Sequence, residues 1–295
     1  MKDTVVEKNK KTIGFVGNSS LVSVNEAAMV SMLRKRNYEH ANQMCEPVHV
    51  RSTFYTKVVK RGIDIIVSLI ACIVLLPFNA VFAVFTFFDV GSPILYKQAR
   101  CGKNGKSFIM VKFRNMNNNM DENGKLLPAA QRITKFGHFM RRYSLDELLN
   151  FWNILKGDMS LIGPRPLPMF FHERMNDRHK MRTAVTPGLE CPRVFVPEGK
   201  DLCLYHKQFE NDIWYVENIS FKTDVKMVIH LVKMAFNMGV RDITAGGGTY
   251  FVGYDENGHA LDFTSAMALF SEDPVFKAEV SNIMAEQGKT TAVSV

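Results

Sequence analysis

The chain has 295 residues, 46% of them hydrophobic, and 37 Lys and Arg against 29 Asp and Glu give a net charge of +8. That length allows one sizeable core with appendages, and the positive balance suits an anionic partner such as nucleotide, phospholipid or nucleic acid. Cys45, Cys72, Cys101, Cys191 and Cys203 are scattered, which excludes a disulfide framework and a spaced zinc site and predicts a reducing compartment for the soluble part.

Residues 1–56 read as a polar N-terminal extension with helical period only over residues 25–36. Residues 1–11 carry charge with no apolar stretch behind them, so no secretory signal is expected. Residues 57–90 are the membrane segment. Within them, residues 63–88 are almost wholly apolar, and a helix of that length would measure roughly 39 Å against a hydrocarbon core of about 30 Å. A plain spanning anchor satisfies the hydropathy. Two features favour a re-entrant hairpin instead. Pro77 falls mid-segment, where it removes a donor and kinks or breaks a helix. Lys57, Lys60 and Arg61 precede the segment, and Lys97, Arg100, Lys103 and Lys106 follow it. Both clusters then lie on the cytoplasmic face, as the positive-inside rule requires.

Residues 91–240 are expected to form the cytoplasmic catalytic domain. Strands at 94–98 and 108–113 flank Gly102-Lys103-Asn104-Gly105, a hairpin loop signal. From Lys97 to Arg142 the only acids are Asp121 and Glu122, a basic run suited to a solvated face or to lipid headgroups and phosphates. Residues 117–131 read as loop. Residues 133–142 form an amphipathic helix that fits either the headgroup plane or the core. Residues 144–155 form a second helix with Ser144 as N-cap and Glu147 three positions on, a capping-box spacing, ended by Gly157. Helix is also predicted over 169–183 and 212–238, the latter around a polar break. Residues 241–295 read as a C-terminal appendage, Gly-rich and then helical. The fold class is therefore α+β and mostly helical, with a small β-hairpin and interfacial helices.

The chemistry concentrates in the run SLDELLNFWNILKGDMSLIGPRPLP. Asp146 and Glu147 sit in a predicted first helical turn, where the dipole favours the ionised acid. A cap accounts for Glu147 and a dipole partner accounts for Asp146. Arg165, stiffened between prolines, equally suits gripping a phosphoryl group beside an acidic nucleophile. Adjacent carboxylates suit a hard divalent cation such as Mg²⁺. Lys112 and Arg114 in KFRNM are strand-end cations, solvated or phosphate-binding. The glycine run at 246–248 lacks the Lys-Ser/Thr of a phosphate loop and reads as a turn.

The chain resembles the bacterial sugar transferases known as monotopic polyprenyl-phosphate hexose-1-phosphate transferases, or phosphoglycosyl transferases. The matching pieces are KRGID at 60–64, Pro77 and GSPILYKQARCGKNGKSFIMVKFRNM at 91–116. They continue with TKFGHFMRRYSLDELLNFWNILKGDMSLIGPRPLP at 134–168, TPGL at 186–189 and WYVENISFKTDVKMV at 214–228. The resemblance implies transfer of a sugar 1-phosphate from a UDP-sugar to undecaprenyl phosphate, with release of UMP and with Mg²⁺. It implies Asp146 as nucleophile, through a covalent phospho-sugar intermediate, and Glu147 as the partner acid at the metal. Lys112, Arg114, Arg142 and Arg165 become phosphate or nucleotide contacts, and Asp212 matches a family acid. Lys60, Arg61 and Pro77 mark the re-entrant hairpin of the inner membrane.

Three departures stand out. Glu190-Cys191-Pro192-Arg193-Val194 follows the TPGL segment where the family often reads PGITGLAQVNG. Leu76 replaces a serine before the hairpin proline in some relatives, and KFRNM replaces the commoner KFRTM. The expected partners are a UDP-sugar, polyprenyl phosphate and membrane lipid; a homo-oligomer stays open, and nucleic acid has no recognised module here. The competing expectation is a non-catalytic membrane-surface protein that binds anionic lipid or recruits an assembly partner.

Overall fold

The computed structural model describes residues 23–122, 124, 126–199, 202–236 and 250–292. The segment at 1–11 and the glycine run at 246–248 lie outside these residues. Ser23 starts helix α1 (Val24–Gln43) by accepting from the Glu26 N–H at 3.1 Å, the cap that a hydroxyl before a helix supplies. A short π-helical turn (Tyr55–Val59) then leads into α2 (Lys60–Val90). Together they form a 36-residue helix long and apolar enough to cross a membrane, with only 6% of its most apolar window buried. The helix continues through Pro77: proline removes one backbone donor, and the helical pattern is kept on either side.

Strands β1 (Leu95–Cys101) and β2 (Ser107–Phe113) form an antiparallel hairpin that pairs Tyr96 with Lys112. After the loop come α3 (Ala129–Arg132) and α4 (Lys135–Arg142), the latter capped by Thr134. The expected helix over 144–155 is not one helix. Leu145–Glu147 is a 3-10 turn and α5 covers Asn150–Lys156. Ser144 is left-handed (φ 55°) and caps nothing with its side chain, so the capping box does not form. Glu147, the acid of that box, is bound by Arg165 instead, and the adjacent Asp146 is bound by Asn115.

Strand β3 (Ser160–Ile162) pairs in parallel with β4 (Gly188–Glu190). The predicted helix over 169–183 is split into α6 (Met169–Arg174), α7 (Asp177–Lys180) and a 3-10 turn (Met181–Ala184). Buried Asn176 divides them: its side chain caps α7, and its N–H donates to the Tyr254 hydroxyl at 2.9 Å. Helices α8 (Leu204–Asn218) and α9 (Phe221–Phe236) flank the polar break. The chain ends with an antiparallel pair, β5 (Phe251–Tyr254) and β6 (Ala260–Asp262), then α10 (Phe263–Phe270) and α11 (Pro274–Ala292). The described residues are thus mostly helical, with small two-stranded sheets.

Three apolar clusters hold these elements. Met29, Met32 and Leu33 of α1 meet Val252, Leu261 and Phe276, so α1 shares one core with β5, β6 and α11. Ala41, Phe171, Phe209, Phe251 and Tyr254 join that unit to α6 and α8. Ile162, Cys191, Tyr215, Ile219 and Met227 tie β3 to α8 and α9.

The apolar helix is rooted at both ends. At its start, Lys60 pairs with Asp224 of α9 at 2.6 Å, both largely buried. Arg61 donates to the Ile154 and Leu155 carbonyls at 2.6 and 2.7 Å, which satisfies acceptors left over at the end of α5. Asp64 accepts from the Leu161 N–H at 3.0 Å. At its end, Asp89 accepts from the Thr134 hydroxyl at 2.5 Å, and the Phe85 and Phe136 rings lie 5.9 Å apart.

Candidate active site

Three elements converge on the acid pair: the end of β2, the last turn of α4, and the loop carrying Arg165. The loop is placed by the β3–β4 pairing. A Cβ on Gly188 would stand 2.0 Å from the Gly163 nitrogen, so only glycine lets the TPGL and GPRP segments approach this closely.

Asp146 is 4% exposed. One of its oxygens, Oδ2, accepts from the Asn115 amide at 2.9 Å, and the Asn115 Oδ1 accepts from Arg141 at 2.9 Å. Burial raises the Asp146 pKa and Glu147 adds to the rise, while Lys112 and Arg141 oppose it. The acid is not at the N-terminus of a sizeable helix, because α5 begins at Asn150. Nearby cations, rather than the helix dipole, favour its charged form.

Glu147 has the opposite balance. Burial would raise it, but Arg165, Lys112 and Arg100 hold its carboxyl below the usual range. Arg165 Nη2 meets Glu147 Oε1 at 2.5 Å, and Nη1 reaches the Leu189 carbonyl at 3.1 Å and Glu190 at 3.4 Å. Glu147 chiefly raises the Arg165 pKa, against burial.

Arg100 donates to the Pro166 carbonyl at 3.2 Å and to Gln98 at 2.6 Å. Its buried Nε has no protein partner. Burial, with Arg165 beside it, pulls this guanidinium down to about 10. Lys112 lies over the Tyr96 ring at 5.7 Å and is lowered by burial, with Glu147 and Asp146 opposing. Buried cations whose charge burial disfavours form a site that gains from a bound anion.

The residues singled out from the sequence divide into groups. Asp146, Glu147, Lys112 and Arg165 come together. Arg114 points elsewhere, to the Gly91 and Ser92 carbonyls at 3.2 and 3.4 Å, just after α2. Arg142 is exposed on the last turn of α4. Asp212 is fully buried behind the site. It accepts from Arg182 at 2.6 and 2.9 Å, and Arg182 also donates to the Arg165 carbonyl at 2.8 Å. Lys60 and Arg61 root the apolar helix. Sequence reasoning missed Asn115, Arg100 and Arg182 as contacts of the site, whereas Arg141, next to the acidic turn in sequence, does reach it through Asn115. KFRNM flagged the Asn115 position without a role, and Arg182 stands in no motif at all.

A long apolar helix rooted at both ends in one soluble body, with paired acids set among cations beside it, defines a membrane-associated protein built around an ionic centre. The family described as Bacterial sugar transferase matches residues 55–238, and the chain belongs to that family. It is 39% identical over 170 residues to the uncharacterized sugar transferase EpsL of Bacillus subtilis, covering 56% of this chain and 83% of that protein. It is 30% identical over 184 residues to the UDP-N-acetylgalactosamine-undecaprenyl-phosphate N-acetylgalactosaminephosphotransferase of Aeromonas hydrophila, covering 59% of this chain and 43% of that protein. It is 31% identical over 191 residues to the UDP-glucose:undecaprenyl-phosphate glucose-1-phosphate transferase of Escherichia coli, covering 61% and 40%. The chain thus spans less than half the length of these last two relatives.

Proposed function

We propose that this protein transfers a sugar 1-phosphate from a UDP-sugar to undecaprenyl phosphate at the cytoplasmic face of the bacterial inner membrane, releasing UMP. The observation that carries this reading is the Asp146 carboxylate. It is buried, one oxygen is held by Asn115, and it lies beside the Glu147–Arg165 pair. A tethered acid opposite crowded cations is arranged to attack a phosphorus whose oxygens those cations neutralise.

In the first step an Asp146 oxygen forms a bond to the β-phosphorus. The bond from that phosphorus to the bridging oxygen breaks, and UMP leaves with the electron pair. In the second step a lipid phosphate oxygen attacks the same phosphorus. The aspartyl–phosphorus bond breaks, and Asp146 is restored as a carboxylate. Arg165, Arg100 and Lys112 balance the charge of the transferring group.

No group of three or more acidic, His or Cys side chains poised for a metal occurs among the described residues. Two adjacent carboxylates fit Mg²⁺ when substrate phosphates supply the remaining oxygens. Glu147 would hold it beside the nucleophilic Asp146, and it would neutralise diphosphate charge there.

Membrane seating is supported by the two roots of α2, which reach α4 and α5, helices separated only by the acidic turn. Exposed Phe221, Val225, Val228 and Ile229 on α9 and Trp152 on α5 add apolar surface next to the Lys60–Asp224 root. A bent, re-entrant α2 would keep both roots at one membrane face.

The test is UMP release across a panel of UDP-hexoses and UDP-N-acetylhexosamines, with undecaprenyl phosphate and Mg²⁺ present. Asp146→Asn should abolish turnover and a hydroxylamine-sensitive adduct. Wild-type rates in that variant would remove Asp146 as nucleophile. No UMP from any donor would favour the non-catalytic membrane-surface reading.

A further inference from the structure

Asn115 is 4% exposed and lies just past the end of β2. Its side chain bridges Arg141 of α4 and Asp146 of the acidic turn, with both contacts at 2.9 Å. The chemistry of the neighbours fixes its orientation. A guanidinium only donates and a carboxylate only accepts, so the amide oxygen must face Arg141 and the amide NH₂ must face Asp146. The other orientation would break both contacts and bury like against like.

The backbone is adapted to this bridge. A Cβ on Gly137 would stand 2.2 Å from the Asn115 carbonyl oxygen, so α4 can lie against this strand end only with glycine there. Arg141 follows Gly137 by one helical turn on the same face, which brings its guanidinium onto the Asn115 side chain. Gly137, Arg141 and Asn115 thus form one device, spread over two elements and aimed at one carboxylate oxygen.

We propose that Asn115 is a positioning residue that ties down Oδ2 of Asp146 and leaves Oδ1 as the attacking oxygen. This rests on the reading of Asp146 as nucleophile. A carboxylate can rotate about its terminal bond and present either oxygen. With one oxygen held by a donor anchored on Arg141, rotation is removed and the free lone pairs keep one direction. An amide serves here because its donor and acceptor ends do not titrate. Lys112 of β2, Arg141 of α4, Arg165 of the GPRP loop and the neighbouring Glu147 also face this acid, but of these only Arg141 acts on it through an amide.

The experiment measures single-turnover formation of the phospho-sugar adduct, together with kcat and KM for the UDP-sugar, in membranes or detergent. Asn115→Leu keeps the branched shape of the side chain and removes both hydrogen bonds. Adduct formation and kcat should fall about ten- to a hundredfold, the range for a lost hydrogen bond to a charged group, with KM nearly unchanged. Asn115→Thr, whose hydroxyl both accepts and donates, should recover most of that loss. Arg141→Met should cost less in the Asn115→Leu background than in the wild type, because the bridge is already broken and only the direct attraction between Arg141 and Asp146 is left to lose.

Wild-type adduct rates in Asn115→Leu would overturn the proposal, and so would a loss confined to KM. A threonine variant no better than leucine would also overturn it, and it decides the matter if the leucine variant fails to fold. If the wild-type protein forms no adduct at all, the nucleophile reading fails first. If the wild type forms it and Asn115→Leu forms it equally fast, only the role of Asn115 fails.

Discussion

The Arg182–Asp212 pair gives the sharpest test of how the site is supported. Arg182 is 3% exposed and Asp212 is 0% exposed, and the guanidinium donates to the same carboxylate oxygen at 2.9 and 2.6 Å. Its third contact, to the Arg165 carbonyl at 2.8 Å, fixes the backbone from which Arg165 reaches Glu147. Arg182→Met removes all three donations and leaves a carboxylate buried without its cation. Breaking a buried pair from one side costs about 3–5 kcal/mol, whereas replacing both partners with apolar groups is often near neutral. Arg182→Met should therefore cost about 3–5 kcal/mol. The double variant Arg182→Met/Asp212→Leu should be more stable than the sum of its single changes by about 1–3 kcal/mol. Denaturant titration in detergent, followed by tryptophan fluorescence, reads both values, since Trp214 lies in the same helix, α8, as Asp212. A cost below about 1 kcal/mol for Arg182→Met, or strict additivity in the double variant, would refute the reasoning. A folded Arg182→Met should also have a higher KM for the nucleotide sugar, because Arg165 loses its backbone anchor.

Three further outcomes are expected. His206, which accepts from the Ala260 N–H at 3.0 Å, is lowered by burial to about 4. The unfolded chain binds this proton near the ordinary histidine value of about 6.5, so stability should fall as pH drops from about 6.5 to 4, by up to about 3 kcal/mol. His206→Gln should flatten that slope in melts across the range; an unchanged slope would assign it to other groups. Gly137→Ala should displace α4 and lower stability by about 1–3 kcal/mol through overpacking, read as a fall in Tm. Single cysteines placed at Arg51 and at Lys106 should both label from the cytoplasmic side, and labelling from opposite faces would make α2 a true span.

Much of the local structure was legible because local rules governed it. The β1–β2 hairpin follows from alternation around a Gly-Lys-Asn-Gly loop, α4 follows from apolar spacing behind Thr134, and the long apolar segment follows from its hydropathy. The misreadings have one cause. Ser144 and Glu147 have the spacing of a capping box, yet Arg165 binds Glu147, Asn115 binds the adjacent Asp146, and the turn becomes 3-10. Asn176 divides a segment with continuous helical pattern because Tyr254, far along the chain, supplies a buried partner for its N–H.

By itself the sequence determined that this is a basic, mostly helical protein with one long apolar segment, and it singled out Asp146, Glu147 and Arg165, which the fold brings together. Composition, periodicity and motif carry that information because each depends on neighbours along the chain. Only the tertiary structure decided which cations serve which acid: Arg165 holds Glu147, Asn115 relays Arg141 to Asp146, and Asp212 stands behind them on Arg182. Charge pairing and burial act through space and fall off within a few ångströms, so residues distant in sequence set the state of each carboxylate.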